Sequence, residues 1–569
     1  MSSDVSRREL LGVIAGLGIG TTTFHRAVAA TVAAQPKVEG ITAEMVKNAE
    51  WIAGITLTEE ERKSIAARLT SAYRNIESLR KTEIGYDVPP AVYFTPTPGE
   101  PSSKGGRGVV EPTKLNEPVA KPDADADLAF LPLTQLAELL RTRKISATEL
   151  AKVFLARLKK YDPALLCIVS LTEELALKQA AEADKEIAAG KYRGPLHGIP
   201  WVAKDLIAYP GYKTTWGAGH FKEQVIDTKA TVAARLEAAG AVLVAKSTLG
   251  ALAMGDQWFG GMTRNPWNVK GGSSGSSAGT ASSVAAGLVT FGLGSETLGS
   301  IVSPSSVCGV TGLRPTFGRV SRHGCMALCW SLDKIGPLAR NVEDCALVFG
   351  AIHGSDTLDG SVIDRPFDWP GKKPLKEFRV GYLESKGPAL PEADMKVLKD
   401  LGVELVPITL PRATTQAVVN LILDVESATA FDDITRAGVS ENIGSAWPAT
   451  FRRGRFVTAV DYLRAQRART LIIREMAKVF EKVDAYACVG GADLVVTNLT
   501  GHPTLCLPNG FRKEGTPTAM TFTGKLFGET DLLTLAKAYQ DATGHHKKRP
   551  PEETWVVEKK EAKKDEKKE

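Results

Sequence analysis

Metal-binding side chains are scarce in this chain. It holds eight histidines and seven cysteines in 569 residues. No two cysteines form a CxxC pair; Cys325 and Cys329 come nearest. No histidine stands in HExxH. An odd cysteine count at irregular spacing argues against both a disulfide framework and a zinc site. The expectation is small buried apolar side chains and no metal. A strong charge of one sign is also missing, the formal net charge being +6. Even the lysine-rich end, residues 546–569, sets seven Asp/Glu against nine Lys/Arg. A nucleic-acid partner is therefore not expected. Long apolar runs are lacking too. Leu10 to Phe24 is short and softened by Gly and Thr, which argues against a stable membrane span. What is present, 43% apolar and 24% charged residues, suits a globular protein with a large core.

In chain order, Ser6-Arg7-Arg8-Glu9-Leu10-Leu11 is a twin-arginine pattern and Ala27-Val28-Ala29 fits a small-residue cleavage site. Residues 1–30 read as a twin-arginine-type signal peptide, which predicts export to the periplasm. Residues 31–86 read as a helical extension. Thr58 and Glu61 make a capping box. Ile65, Leu69, Ala72, Ile76 and Leu79 then recur on one helical face, expected to pack on the main domain. Residues 87–127 form a connector, with eight prolines between Asp87 and Pro122.

Residues 128–545 alternate helix and strand signals, which predicts one large α/β domain. Ser146 and Glu149 cap a helix reaching about Lys160. Strands are predicted around Lys204, over Ala241–Ala245 and over Phe378–Tyr382. Helices are predicted over Thr231–Leu236, Arg340–Gly350 and most of Arg455–Val483. Leu494 to Leu507 reads as strand and loop. Residues 546–569 read as a disordered charged tail.

Asn265 to Pro304 organises the domain. It holds nine Ser and eight Gly, yet Trp267 precedes the run and the apolar VAAGLVTFGLG follows it. Such flanks suggest closely packed backbone rather than a tether. Within it, Gly275-Ser276-Ser277-Ala278-Gly279 satisfies GxSxG. The residues before it cannot supply the apolar strand that a nucleophile elbow needs. The Gly-Lys-Ser/Thr ending of a phosphate-binding loop is absent. Counting residues leaves a Ser-His-Asp triad open. Lys204 lies among Ile199, Val202, Ala203 and Ile207, where a charged amine is costly to bury.

GIPWVAKD, GSSAGTASSVAAGLV and GSETLGSIVSPSSVCGVTGLRPTFGRVS, in this order and spacing, resemble the amidase signature family. The resemblance covers roughly Leu128 to Gly544. It implies an α/β fold with a large mixed sheet covered by helices on both faces. It also implies a serine amidohydrolase with a Ser–cis-Ser–Lys triad. Carried onto this chain, Ser300 is the nucleophile, Ser276 the bridging serine and Lys204 the base. Ser277 is the adjacent alternative to Ser276. The resemblance places oxyanion donors at Thr297, Leu298 and Gly299, with Asp333 supporting the site. It implies no cofactor and a small-molecule or peptide amide as substrate, and a homo-oligomer is compatible with it. The acyl pocket is expected from Gly250–Met262, including Trp258 and Phe259, and from parts of Thr415–Arg455.

Three positions depart from the pattern. Leu298 stands for a usual Gly, Val302 for a usual Arg and Glu296 for a usual Asp. Leu298 is expected to resist positive φ, and Val302 to remove a polar tie. Two other readings compete with the amide hydrolase. One is the glutamine-hydrolysing component of a tRNA-dependent amidotransferase, which the export signal opposes. The other is a non-catalytic binding protein on the same scaffold.

Overall fold

The computed structural model describes residues 40–82, 92, 106–384, 389–439 and 442–555. The expected signal peptide, most of the first part of the connector and residues 556–569 lie outside them. The chain divides into two compact units, Met1–Tyr73 and Arg74–Glu569.

In the first unit, helix Ala43–Ala53 starts at Thr42, whose hydroxyl accepts from the Met45 N–H, and ends at left-handed Gly54. Helix Glu59–Arg80 begins in this unit. Its capping box is reciprocal: the Glu61 N–H donates to Thr58 Oγ1 at 3.2 Å, and the Thr58 N–H to Glu61 Oε2 at 2.9 Å. Ile65, Leu69 and Ala72 are buried, as one-face spacing predicts. The end of the helix belongs to the second unit. There Ile76 and Leu79 join an apolar cluster with Val418, Ile422, Ile472 and Met476.

The second unit is built on an eleven-stranded mixed sheet. Its strands are β1 (Ile168–Leu171), β2 (Pro200–Lys204), β3 (Val242–Ser247), β4 (Phe291–Glu296), β5 (Thr311–Arg314), β6 (Lys334–Ala339), β7 (Arg379–Leu383), β8 (Glu404–Ile408), β9 (Ala485–Val489), β10 (Thr504–Phe511) and β11 (Pro517–Gly524). They lie in the order β1-β3-β2-β4-β6-β5-β10-β11-β9-β7-β8. β2 runs parallel to β3 and β4, and β7 parallel to β8 and β9. The centre, from β4 to β9, is antiparallel. Parallel neighbours need a crossover. Thr231–Ala238 supplies one between β2 and β3, and Glu392–Asp400 one between β7 and β8. β2, β3 and β6 are buried at every residue, as strands covered on both faces must be. Three lysines nevertheless sit in them: Lys204, Lys246 and Lys334. Among the described residues no helix is long and apolar enough to cross a membrane. All seven cysteines are free thiols.

The connector's second half is extended along the domain: the Arg107 guanidinium donates to the carbonyls of Ala351 and His353, and the Trp369 N–H to Val109 O. Two expectations need correction. Leu494 to Leu507 does not read uniformly as strand and loop, since Leu494–Thr500 is helix before β10 begins. β-branched and polar residues in that stretch hid a short helix held by tertiary packing. Finally, residues 546–555 are folded rather than part of a disordered tail. Trp555 is buried, its indole N–H donating to Pro266 O at 2.8 Å and its ring edge-on to Tyr161. Glu552 accepts from Arg157 at 2.6 Å and from the Tyr161 hydroxyl at 2.8 Å. A flanking charge run masked these anchors. Trp555→Ala should therefore cost about 3–5 kcal/mol of stability. Chemical denaturation of the full chain measures this, and an unchanged midpoint would make the contact incidental.

Candidate active site

β2 carries Lys204 at its last position, fully buried between β3 and β4. The amine donates to Ser276 Oγ at 2.8 Å, Ser295 Oγ at 2.9 Å, Ser277 Oγ at 3.2 Å and Ser295 O at 3.3 Å. None of these partners is a carboxylate. Burial lowers its pKa to about 7, although the negative charges of Asp333 and Glu296 oppose the shift. Lys246 is the contrast, since it meets Asp205 at 2.9 Å.

Ser276 follows a short ribbon (Asn268–Gly272) and precedes helix Ala278–Ala285. The Gly275–Ser276 peptide is cis. Gly275 is required there because a Cβ would lie 1.9 Å from Gly255 O. The two neighbouring serines are not equivalent. Ser277 Oγ donates to Ser295 O and accepts from the Ser295 N–H, both at 3.2 Å, so its proton is committed to a carbonyl. Ser276 Oγ accepts from Lys204 without that commitment.

Ser300 ends the turn after β4 and is 8% exposed, whereas Ser276 is fully buried. The Ser277 N–H donates to Ser300 O at 3.0 Å, joining the two serine segments. The turn is held from behind by Glu296. Its Oε2 accepts the N–H groups of Ile301 at 2.9 Å and Val302 at 3.0 Å. Its Oε1 accepts from Arg314 at 2.7 Å and from the Asn498 amide at 2.9 Å. Burial raises the Glu296 pKa, but the charges of Arg314 and Lys334 outweigh it and hold the carboxyl at about 2. Lys334 donates to Asn498 Oδ1 at 2.7 Å and to Leu332 O. Burial, with Arg314 beside it, lowers Lys334 to about 7.

The departures are accommodated. The left-handed residue of the turn is Gly299, at φ 89°, not Leu298. Leu298 packs on the apolar cluster that holds Ile422, Ile472 and Met476. Val302 is buried with Cys506 and Ala519, and behind the turn Glu296 and Arg314 form a buried ion pair. Asp333 joins the turn to the next loop: the Thr297 hydroxyl donates to its Oδ1 at 2.6 Å, and the Leu328 and Cys329 N–H groups to its Oδ2. Burial raises the Asp333 pKa.

Among the described residues no histidine hydrogen-bonds Lys204, Ser276 or Ser300. His502 stacks on Phe480, and burial lowers it to about 3. No group of three metal-ligating side chains stands together there either. Ser295, Arg314, Lys334 and Asn498 went unrecognised from sequence. Each acts through strand adjacency or helix packing, which leaves no local pattern.

Beside Ser295 and Thr297 lies a cavity of about 290 Å³. Its wall comes mainly from residues 322–335 and 358–360. Only Ala253 of the expected 250–262 segment lines it, and nothing from 415–455 does. Phe259 is 44% exposed instead. Position along the chain could not reveal that the loop after β5 folds back over the turn.

A protein-family model described as Amidase matches residues 149–490. The A component of the glutamyl-tRNA(Gln) amidotransferase of Heliobacterium modesticaldum is 35% identical, the alignment covering 73% of this chain and 97% of that protein. Its counterpart of the same description from Thermosynechococcus vestitus is 34% identical, covering 74% and 99%. Among solved structures, the native peptide amidase of Stenotrophomonas maltophilia is 29% identical, with a TM-score of 0.65, covering 74% of this chain and 98% of that one.

Within the site, Glu296→Gln removes the charge partner of buried Arg314. The expected loss is about 3–5 kcal/mol, read from denaturant unfolding. A loss below about 1 kcal/mol would show that the pair does not hold the turn.

Proposed function

This chain belongs to the amidase family and is a hydrolase acting on amides, and on that premise we propose that Ser300, Ser276 and Lys204 form its catalytic triad. The observation that carries the reading is a fully buried amine with no carboxylate in contact, 2.8 Å from a serine hydroxyl beside the Ser300 turn. A serine hydroxyl attacks only when a base takes its proton. Neutral Lys204 accepts the Ser276 proton while Ser276 accepts that of Ser300, a hydroxyl being both donor and acceptor. Ser300 Oγ bonds to the amide carbonyl carbon. The oxyanion is held by backbone N–H groups at Thr297, Leu298 and Gly299. Those of Ile301 and Val302 are already taken by Glu296. The proton returns through Ser276 to the nitrogen, the C–N bond breaks and the amine leaves. Water then hydrolyses the Ser300 ester by the same relay. Asp333 acts by fixing Thr297.

The acyl group this site takes is uncharged. Besides His323 and Cys325, two basic and two acidic side chains line the cavity, and each of these four is satisfied within the protein. Arg322 pairs with Asp359 at 2.9 Å. Asp333 accepts three hydrogen bonds, and Lys334 donates two. Free glutamine would bring an ammonium and a carboxylate that find no counter-charge. Met326, Leu328, Trp330 and Leu358 offer apolar surface instead. The amidotransferase relatives favour a second reading, glutamine hydrolysis for an amidotransferase, which a substrate panel separates from the first.

Fluorophosphonate labelling should occur in the native chain and vanish in Ser300→Ala. Lys204→Met should lower kcat/KM on neutral acyl amides by about 10²–10⁴-fold. Because the protonated amine cannot act as base, native kcat/KM should rise with pH through about 7, as Lys204 loses its proton. Glutamine turnover matching that of the neutral amides would overturn the uncharged-acyl reading. Labelling that persists without Ser300 would overturn the triad.

We further propose that the leader carries the folded enzyme to the periplasm. Cell fractionation tests this: replacing Arg7 and Arg8 by Lys should retain the protein in the cytoplasm, and a native chain already retained there would refute it.

A further inference from the structure

At the other end of β6 from Lys334, a second cavity of about 290 Å³ opens beside Arg340. Arg340, His546, Lys547 and Arg549 line it, and no carboxylate does. The amide side chains of Gln135 and Asn341 complete its polar wall. Arg340 is only 9% exposed. Its guanidinium donates to Val289 O at 3.0 Å and Leu131 O at 2.9 Å, so its contacts are neutral carbonyls. A buried guanidinium without a carboxylate partner is costly.

Like charges crowd it. The guanidiniums of Arg549, Arg340 and Arg157 lie 4.6, 5.5 and 5.8 Å from the ring centre of one residue, Phe130. Burial pushes Arg340 down to about 10; Asp344 opposes this, and the charges of Arg549 and Arg157 add to it. Asp344, the carboxylate that acts on Arg340, accepts the Leu133 N–H at 3.1 Å, and its Oδ2 is buried without a partner. Asp127 takes Arg549 at 2.6 Å from an exposed position, and Glu552 takes Arg157 at 2.6 Å. His546 Nδ1 is buried with no partner. The segment 546–549 thus closes a chamber whose positive charge comes from Arg340, Lys547 and Arg549, since burial lowers His546 to about 4 and leaves it neutral.

We propose that this cavity binds a multiply charged oxyanion, namely a phosphate group, free or as a monoester. Several positive groups converge on one small volume, so a dianion is favoured over a single carboxylate. The site lies a strand's length from the Ser300 turn. β6 connects the two, since Lys334 at its start donates to Asn498, which holds Glu296.

Calorimetry and thermal unfolding of the full chain test this at constant ionic strength, with inorganic phosphate, glycerol phosphate and chloride compared. Phosphate should bind one site saturably and raise Tm by about 2 °C or more at saturation, while chloride does not. A monoester that binds at least as tightly assigns the site to an organic phosphate; tighter binding of the inorganic ion assigns it to free phosphate. The Lys547→Ala, Arg549→Ala double variant, altered only at exposed positions, should lose at least about tenfold in affinity. Arg340→Met should abolish binding if it folds. A Tm shift equal to that of chloride, or one unchanged in the double variant, overturns the proposal.

Discussion

The site depends on keeping one amine out of water and away from any carboxylate. Lys204 stands at the end of a strand buried at every residue, between β3, also buried throughout, and β4, where Ser295 alone is half-buried. In that setting the ammonium loses hydration and finds only hydroxyl and carbonyl oxygens in return. The neutral form gains by comparison, which is what a general base near neutral pH requires. Lys246, one strand away, shows the other outcome of the same burial. A carboxylate at 2.9 Å gives it a structural partner.

The serine turn is the second half of the arrangement, and it is held by charge rather than by apolar packing. One oxygen of Glu296 caps the two N–H groups that follow Ser300, and the other is gripped by Arg314 and Asn498. Val302 then has no polar duty and joins an apolar cluster. Leu298 fits as well. Gly299 takes the left-handed conformation, leaving the leucine free to pack.

Much of this was legible in residues that bear a local rule. Thr58 with Glu61 and Ser146 with Glu149 announce helix starts, because a short polar side chain can satisfy an orphan N–H only there. Lys204 stood out as a charge inside an apolar run. The registers of Ser276 and Ser300 followed from family spacing. The helix Leu494–Thr500 was missed because its own residues favour strand. Trp555 was missed because charged neighbours outweighed one aromatic.

By itself, the sequence determined the α/β class, the helix caps and a lysine inside an apolar run, which rest on periodicity and short spacings, whereas Ser276 and Ser300 were singled out only through resemblance to the family. Only the tertiary structure decided which serine hydroxyl is committed to a carbonyl, what grips the Ser300 turn and which loop walls the cavity. Those outcomes depend on contacts across the sheet between residues far apart in the chain, as between Glu296 and Asn498. No local pattern records such a distance.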